Sequence, residues 1–307
     1  MPAATMPAAA LRSGAVTVIS GGLGGLGRIF AEHLALGSGA TVVLLGRSDP
    51  DAERRFWLEE LRGRGASIHH LKADVADPVQ TVAAVAEVRR RFGRIDGVLH
   101  AAGVVRDGSL LSRTEEDVAA VFGPKALGAV NLDAAIGEAP LDVFVLFSSL
   151  AGQAGNRGQA AYAFANRFLD GFADWREEQR RQGRRRGRTL SLSWPLWDGG
   201  GIAVTPAARA QLAREAGLAP MSGEDGLRAF EAALASASVR RAVLTGDAAR
   251  LRAFLDRVGD GAGGIVMAGK RRWPPRPPRP QRPRRRSAPR MSGNGRRRGC
   301  APSSPRR

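Results

Sequence analysis

A run of seven residues near the start of the chain limits its fold more than any other feature. Gly21–Gly27 reads GGLGGLG and lies between the apolar segment Val16–Ser20 and the amphipathic segment Gly27–Leu36. Three of its glycines match GxGxxG, in which glycines permit a tight turn beneath a pyrophosphate and the following helix N-terminus meets its charge. A flexible glycine-rich loop is the alternative, but the flanking strand and helix favour a dinucleotide site. The predicted site residues are Gly21, Gly22, Leu23, Gly24, Gly25, Leu26 and Gly27.

Short apolar segments recur along the chain with amphipathic segments between them. They are continuous rather than alternating, which is typical of strands buried on both faces of a parallel sheet. We therefore predict an α/β, Rossmann-like doubly wound parallel sheet of about seven strands. The predicted strands are Val16–Ser20, Thr41–Gly46, Ile68–Val75, Gly97–Ala102, Val143–Ser149, Thr189–Trp194 and Arg241–Thr245. The predicted helices are Gly27–Leu36, Asp51–Gly63, Pro78–Arg91, Thr114–Ile136, Tyr162–Gln182, Ser222–Ala235 and Asp247–Val258.

The residues that follow the predicted strands indicate which dinucleotide is bound. In NAD sites an acidic residue about 20 positions beyond the glycine pattern holds the ribose hydroxyls. Arg47 and Ser48 stand there instead, and a guanidinium suits the 2′-phosphate of NADP. The alternative is an ordinary solvated arginine. Further cofactor contacts are predicted from Asp74, Val75, Ala101, Ala102 and Gly103, at the ends of the third and fourth strands.

Four polar residues are suited to proton transfer onto a carbonyl oxygen. Ser149 ends the fifth predicted strand, and Tyr162, the only tyrosine, precedes Asn166 by one helical turn. A ketone that accepts hydride develops alkoxide character, so its oxygen needs a hydrogen-bond donor and a proton. Ser149 and Tyr162 can supply these, and the Lys125 ammonium, upstream, is expected to lower the pKa of Tyr162. Taken singly, each residue is also explained as a strand end, a helix start or a packed side chain.

These residues lie within a dense set of motifs. They include Gly21–Gly27, His100–Gly103, Pro124–Gly128, Phe147–Ser149, Gly158-Gln159, Tyr162–Asn166 and Trp194–Trp197. From about Leu11 to Val258 the chain resembles the ketoreductase domains of modular polyketide synthases, within the short-chain dehydrogenase/reductase superfamily. Most superfamily members place the lysine four residues after the tyrosine. Here Asn166 takes that place and Lys125 lies upstream, which is similar to the polyketide ketoreductases. The phrases Gly21–Gly27 and Ser193–Trp197 look like synthases of the trans-acyltransferase kind.

The resemblance implies a reaction and a role for each residue. It implies that NADPH reduces a β-ketoacyl thioester, carried by an acyl carrier protein, to a β-hydroxyacyl thioester. Tyr162 would protonate the β-keto oxygen and Ser149 would hydrogen-bond it, while Lys125 and Asn166 would support the tyrosine and a proton relay. The implied partners are the acyl carrier protein and other polyketide synthase modules.

The same resemblance bears on the configuration of the product. In Val105-Arg106-Asp107, only the last acid of the family's Leu-Asp-Asp signature for D-hydroxyl products is kept. Ala154 stands where the opposite class has tryptophan, and Arg157 replaces a proline often found there. The resemblance therefore implies a D-configured hydroxyl, with Asp107 as the residue of stereocontrol.

The charge of the chain is concentrated at one end. The formal net charge is +18, but fifteen Lys and Arg and no acid lie between Lys270 and Arg307, which leaves +3 for the residues before them. We predict a leader at 1–13, a catalytic domain at 14–258 and a disordered Arg/Pro-rich tail at 259–307. The tail has no zinc spacing or RNP-like motif, so only nonspecific contact with nucleic acid is expected.

Composition also limits compartment and metal chemistry. The single cysteine, Cys300, excludes an intramolecular disulfide and a cysteine-based metal site in a monomer, and no metal is predicted. No apolar stretch approaches a membrane span, so a cytoplasmic protein without membrane contact is expected.

One departure from the family leaves two other functions open. Ketoreductase domains usually carry an N-terminal structural half before the glycine turn, whereas thirteen residues precede Gly14, so an excised or truncated catalytic half is expected. The alternatives are a free-standing short-chain reductase of a small carbonyl compound and a noncatalytic NADP-binding remnant. Past Val204 the pattern loosens into a stretch expected to cover the substrate.

Overall fold

One parallel sheet organises the computed structural model, which describes residues 11–109, 112–201, 205–258 and 264–267. Its strands are β1 Val16–Ser20, β2 Thr41–Gly46, β3 Ile68–Lys72, β4 Gly97–His100, β5 Val143–Ser149, β6 Arg188–Trp194, β7 Arg240–Leu244 and β8 Gly264–Met267. Their order is β3-β2-β1-β4-β5-β6-β7-β8. From β1 the sheet grows through β2 and β3 on one side and through β4 on the other, so the strand order reverses between β1 and β4. A doubly wound sheet binds its ligands at such a point.

All seven predicted strands are present, and the predicted fold class is confirmed. An eighth strand, Gly264–Met267, pairs in parallel with β7 and places Ile265 opposite Ala242. It falls within the tail that is predicted to be disordered. The Gly, Pro and Arg content of the tail predicts disorder, and a strand of four residues is too short to change that prediction. The rest of the segment predicted as disordered, 259–307, lies outside the described residues.

The helices connect the strands on both faces of the sheet. They are α1 Gly25–Glu32, α2 Ala52–Gly63, α3 Pro78–Phe92, α4 Glu115–Phe122, α5 Gly128–Ile136, α6 Ala151–Ala154, α7 Ala160–Arg181, α8 Pro206–Ala216, α9 Gly223–Leu234 and α10 Ala248–Val258. Local capping sets several of these ends. The Asp77 carboxylate accepts from the N–H groups of Val79 and Gln80 at the start of α3, and Gly93 ends that helix with φ +77°.

Several helical regions differ from the prediction. Helix α6 is additional, and the segment predicted as the helix Gly27–Leu36 ends in a π-helical turn at His33–Gly37. The segment predicted as one helix, Thr114–Ile136, is broken by a π-helical turn at Gly123–Leu127, here called the lysine turn, which separates α4 from α5. The stretch past Val204, where the sequence pattern loosens, contains helix α8. Local periodicity does not detect the two π turns, because a π turn keeps helical composition, and it does not detect α8, which has a weak apolar face.

Apolar side chains pack on both faces of the sheet. On one face, Phe30 of α1 contacts the rings of Phe147, Trp194, Trp197 and Phe230. On the other face the core is formed by side chains of α3, α5 and α7 against the central strands. Rigid packing on both sides holds the carboxyl ends of β1, β4 and β5 in fixed positions.

Within the described ranges, no helix combines the length and apolarity that a membrane crossing requires. The same ranges contain no group of three His, Cys, Asp or Glu side chains placed to hold a metal ion.

Candidate active site

A cleft of about 1690 Å³ opens at the carboxyl ends of the central strands. The glycine turn and the residues after β4 line one part of it, and Lys125, Ser149 and Tyr162 line another. Helix α8 contributes Gln211 and Glu215 to its wall. The cleft therefore combines the predicted nucleotide turn with the predicted proton-transfer residues.

The glycine turn is built so closely that side chains would not fit at key positions. Gly21 has φ +68°, and a Cβ there would lie 2.7 Å from the Cα of Ala102. A Cβ on Gly27 would lie 2.3 Å from the carbonyl oxygen of Gly21. Helix α1 begins at Gly25, and no side chain among the described residues caps its first amides. Uncapped amides at a positive helix end fit a dinucleotide pyrophosphate.

The predicted cofactor residues fall into two groups. Those that line the cleft are Gly21, Gly24, Gly25, Leu26, Gly27, Ala101 and Gly103. Those outside the lining are Gly22, Leu23, Arg47, Ser48, Asp74, Val75 and Ala102. Gly22 packs against Leu44, and Ala102 is buried. Arg47 and Ser48 are exposed beyond β2, and the Asp74 carboxylate accepts from the N–H of Ala76. A nucleotide contact at Arg47 stays a prediction.

Lys125 is held in the lysine turn with its side chain buried. It is 4% exposed, and its Nζ donates a 2.6 Å hydrogen bond to the carbonyl of Phe147 in β5. Burial lowers the pKa of Lys125 to about 8, while Asp170 acts in the opposite direction. The ammonium form still predominates at neutral pH. Gly103 lies close to the lysine side chain. A Cβ on Gly103 would be 3.2 Å from the lysine Cε.

Tyr162 lies in the first turn of α7, and its pKa does not follow the expectation. The side chain is 9% exposed and packs with Val121 and Ala165. Burial raises its pKa, while hydrogen bonding with Ser149 and Asn166 acts to lower it. The expectation that Lys125 lowers this pKa is wrong for this geometry. The lysine Nζ lies 5.7 Å from the tyrosine ring centroid and is bonded to Phe147, so desolvation dominates.

Ser149 and Asn166 lie on either side of Tyr162 with different hydrogen-bonding capacity. The Ser149 Oγ accepts from the N–H of Ala151 at 3.2 Å, and its single O–H can donate to the Tyr162 oxygen or to a ligand oxygen in its place. Asn166 is fully buried, and its Nδ2 donates to the backbone carbonyl of Tyr162 at 2.7 Å. Its Oδ1 has no partner among the described residues. A buried unpaired acceptor of this kind fits a bridging water.

Two loops at the mouth of the cleft are tied together beside Asp107. The Gln159 Nε2 donates to Asp107 at 2.8 Å, and the N–H of Gly108 donates to the carbonyl of Gly158 at 2.8 Å. From the sequence, stereocontrol is assigned to Asp107, and Gln159 is named only as part of the motif Gly158-Gln159. No local pattern could have paired them, because 52 positions separate the two residues.

Sequence reasoning missed the contact made by His100, the last residue of β4. Its ring bonds to the Ser20 hydroxyl and to the Lys125 carbonyl, and the side chain is fully buried. The only sequence signal for this contact was the motif at residues 100–103, which does not indicate what the His100 side chain contacts.

Comparison with known proteins identifies what these features resemble. Residues 15–199 match the family model of the KR domain. Polyketide synthase PksN of Bacillus subtilis (strain 168) is 39% identical over 238 residues, and polyketide synthase ThaG of Burkholderia thailandensis is 43% identical over 246 residues. These alignments cover 77% and 80% of this chain but 4% of each relative.

Solved structures give the same result. A ketoreductase domain from the bacillaene assembly line has a TM-score of 0.71 and 36% sequence identity, over 76% of this chain and 56% of that chain. The first ketoreductase of the tylosin PKS has a TM-score of 0.62 and 33% identity, over 76% of this chain and 49% of that chain. The chain thus spans about half the length of these solved proteins.

Proposed function

Because the chain belongs to the KR domain family of ketoreductases, we propose that it reduces a β-ketoacyl thioester to a β-hydroxyacyl thioester with NADPH. Domains of this family are oxidoreductases that use a nicotinamide cofactor. One observation carries the proposal for this chain. Ser149, Tyr162 and Lys125 line the same cleft as a glycine turn whose helix amides are uncapped.

The side chains of the cleft supply the proton and the hydrogen bonds that the reduction needs. Bound NADPH would supply the hydride. The Tyr162 hydroxyl donates its proton to the β-keto oxygen, and the raised pKa keeps this group protonated at neutral pH. The Ser149 O–H donates a second hydrogen bond, which stabilises developing negative charge on that oxygen.

Lys125 and Asn166 restore the proton that Tyr162 gives up. The Lys125 ammonium, whose Nζ lies 5.7 Å from the tyrosine ring centroid, would supply a proton toward the phenolate that forms after transfer. The Oδ1 of Asn166, which has no partner among the described residues, would accept a hydrogen bond from a water, and such a water would link Tyr162 to a proton relay.

We assign NADPH rather than NADH on the basis of Arg47. This arginine follows β2 next to the glycine turn, is exposed, and has no acidic residue beside it in the sequence until Asp49. Asp49 is itself paired with Lys72, which leaves the guanidinium of Arg47 to meet a ribose 2′-phosphate.

We assign the D configuration to the hydroxyl on the basis of Asp107. Its carboxylate lines the cleft and holds Gln159 on the opposite loop. A fixed carboxylate at the mouth limits the direction from which the acyl chain enters, and this selects one face of the ketone.

The proposed partners follow from the substrate. An acyl carrier protein would present the thioester, and other polyketide synthase modules would supply and consume it. We place the catalytic domain at residues 14–258 and the activity in the cytoplasm, where the lone Cys300 would stay reduced.

The test is NADPH oxidation at 340 nm with a β-ketoacyl N-acetylcysteamine thioester, with NADH in a parallel reaction and with chiral chromatography of the product. We expect turnover with NADPH, slower turnover with NADH, and the D alcohol. Turnover of simple ketones but not of the thioester would support a small-carbonyl reductase instead. Binding of NADPH by folded protein without turnover of either substrate would support the noncatalytic alternative.

A further inference from the structure

A buried histidine connects the glycine turn to the lysine turn. The His100 ring is 0% exposed and lies between Ser20, the last residue before the glycine turn, and Lys125. Its Nδ1 lies 2.6 Å from the Ser20 Oγ, and its Nε2 lies 2.7 Å from the Lys125 carbonyl oxygen. The cofactor side and the proton-transfer side of the cleft are therefore joined through one imidazole.

The chemistry of the two partners fixes the tautomer of this ring. A carbonyl oxygen can only accept, so Nε2 of His100 carries the hydrogen and donates to Lys125. In a neutral ring Nδ1 is then the acceptor, and the Ser20 hydroxyl donates to it. Burial lowers the pKa of His100 to about 4, which is consistent with a neutral ring at physiological pH.

The Lys125 carbonyl lies where the lysine turn changes the hydrogen-bond register. In a regular helix each carbonyl accepts from the N–H four residues ahead. Here the N–H of Gly128 is shared between the carbonyls of Gly123, five residues back, and Lys125, three residues back. A shared N–H bonds each acceptor weakly, so the histidine donor completes the register that a π turn disturbs.

A glycine in the neighbouring helix makes room for the ring. A Cβ on Gly128 would lie 2.9 Å from the His100 Cε1 and 2.9 Å from a methyl group of Val75. Gly128 has φ −57°, an ordinary helical value, so its backbone does not require glycine. The absence of a side chain at this position is explained by the approach of the imidazole.

We infer that His100 is a positioning residue whose Nε2–H holds the lysine turn in its π register and so keeps the Lys125 amine at Tyr162. The inference rests on the proposed function, in which Lys125 supports the tyrosine. Ser20 has the smaller role of orienting the imidazole ring through its hydrogen bond to Nδ1.

Two amide variants separate positioning from packing. The Nε2 of a glutamine can reach the position of the histidine Nε2, whereas an asparagine amide reaches only the position of Nδ1. We therefore expect His100→Gln to keep most of the activity and His100→Asn to lower kcat by about 10- to 100-fold, as a misplaced catalytic group does. The KM for NADPH should change by less than about 3-fold in both. Equal kcat for the two folded variants would overturn the inference.

A pair of glycine variants, one at the start of the lysine turn and one immediately after it, gives an independent test. Gly128→Ala should displace the ring and lower kcat by at least about 10-fold. Gly123→Ala is the matched control, because a Cβ there would meet only Ala76 at 3.5 Å, which is ordinary contact. We expect its kcat to stay close to that of the unmodified protein. Similar kcat values for the two alanine variants would contradict the assignment.

Lysine NMR tests the inference without turnover. The chain has three lysines, Lys72, Lys125 and Lys270, so 15Nζ-lysine spectra are simple to assign with single Lys→Arg variants. His100→Asn should shift or broaden the Lys125 signal and leave the Lys72 signal unchanged, whereas His100→Gln should retain the Lys125 signal. An unchanged Lys125 signal in His100→Asn would overturn the inference. Because this result does not depend on thioester reduction, failure of the proposed function would be recognised separately.

Discussion

The carboxyl edge of the sheet has two parts that are built in opposite ways. At the ends of β4 and β5, the side chains of His100, Lys125 and Tyr162 are buried and held by other parts of the protein. At the end of β2, Arg47 and Ser48 are exposed and lie outside the cleft lining. Proton-transfer geometry is therefore fixed by the fold itself, whereas selection of the nucleotide depends on side chains that a ligand has to order.

The largest effect of breaking the buried part is expected from Tyr162→Phe. The ring and its packing against Val121 stay, but the proton donor is lost. We expect kcat for thioester reduction to fall by about 10³- to 10⁴-fold, the upper range for general acid catalysis. NADPH affinity, measured by fluorescence titration, should change by less than about 3-fold. Wild-type turnover in this variant would remove Tyr162 from the mechanism.

The buried part should also make stability depend on pH through His100. Its pKa falls to about 4 in the folded protein, so between pH 4 and the unfolded value near 6.5 the unfolded chain binds more protons. The contribution of the neutral ring is complete above about pH 6.5 and is lost as pH falls through this window, by up to about 3 kcal/mol. Urea unfolding at pH 7 and pH 4.5 measures it.

The matched protein for that measurement is His100→Gln, which cannot titrate at this position. Its unfolding free energy should fall less between the two pH values than that of the unmodified chain. His69 and His70 also have lowered pKa values, because both are partly buried, but they are present in both proteins and cancel in the difference. An identical pH dependence in the two proteins would show that His100 is not the group responsible.

The exposed part should respond in cofactor preference rather than in stability. Arg47→Asp replaces the proposed 2′-phosphate donor with an acceptor suited to ribose hydroxyls. We expect the ratio of kcat/KM for NADPH to that for NADH to fall by about 10- to 100-fold, the range for one or two charge-assisted hydrogen bonds. The unfolding midpoint should stay nearly constant.

A control for the change in net charge is Arg90→Asp on α3, an exposed position outside the cleft lining. Its ratio for the two cofactors should equal that of the unmodified chain. If Arg47→Asp gives the same ratio as this control, Arg47 does not select the nucleotide.

The smallest effect is expected at the mouth of the cleft. Gln159→Met keeps the length of the side chain but removes the donor to Asp107. Because this bond is exposed, we expect a loss of no more than about 1 kcal/mol in discrimination, or roughly a 5-fold lower D:L ratio, with kcat nearly unchanged. Chiral chromatography of the product measures the ratio, and an unaltered ratio would remove this contact from stereocontrol.

The sequence predicts best what local patterns encode. Strands β1, β2 and β5 have the predicted bounds, because continuous β-branched and aliphatic runs are bounded by glycine or polar residues. The glycine turn and the set of Lys125, Ser149 and Tyr162 were found from motif order, and the fold brings them to one cleft.

Features that depend on tertiary contacts could not be predicted. The break in the segment Thr114–Ile136 is a change of hydrogen-bond register, which leaves composition unaltered. The contact of His100 with Lys125 joins residues 25 positions apart in different elements. The raised pKa of Tyr162 depends on how deeply the ring is buried and on where the lysine amine points, and neither can be read from spacing.

Transfer of a labelled hydride tests the central claim most directly. NADPH carrying two deuterium atoms at C4 is incubated with the protein and a β-ketoacyl N-acetylcysteamine thioester, and the product is analysed by mass spectrometry. We predict one deuterium at the β-carbon of a β-hydroxyacyl thioester with the unmodified chain, and no labelled product above background with Tyr162→Phe. Two results would contradict the account. One is an unmodified chain that is folded and binds NADPH but forms no labelled alcohol, and the other is an equal amount of labelled alcohol from the unmodified chain and Tyr162→Phe.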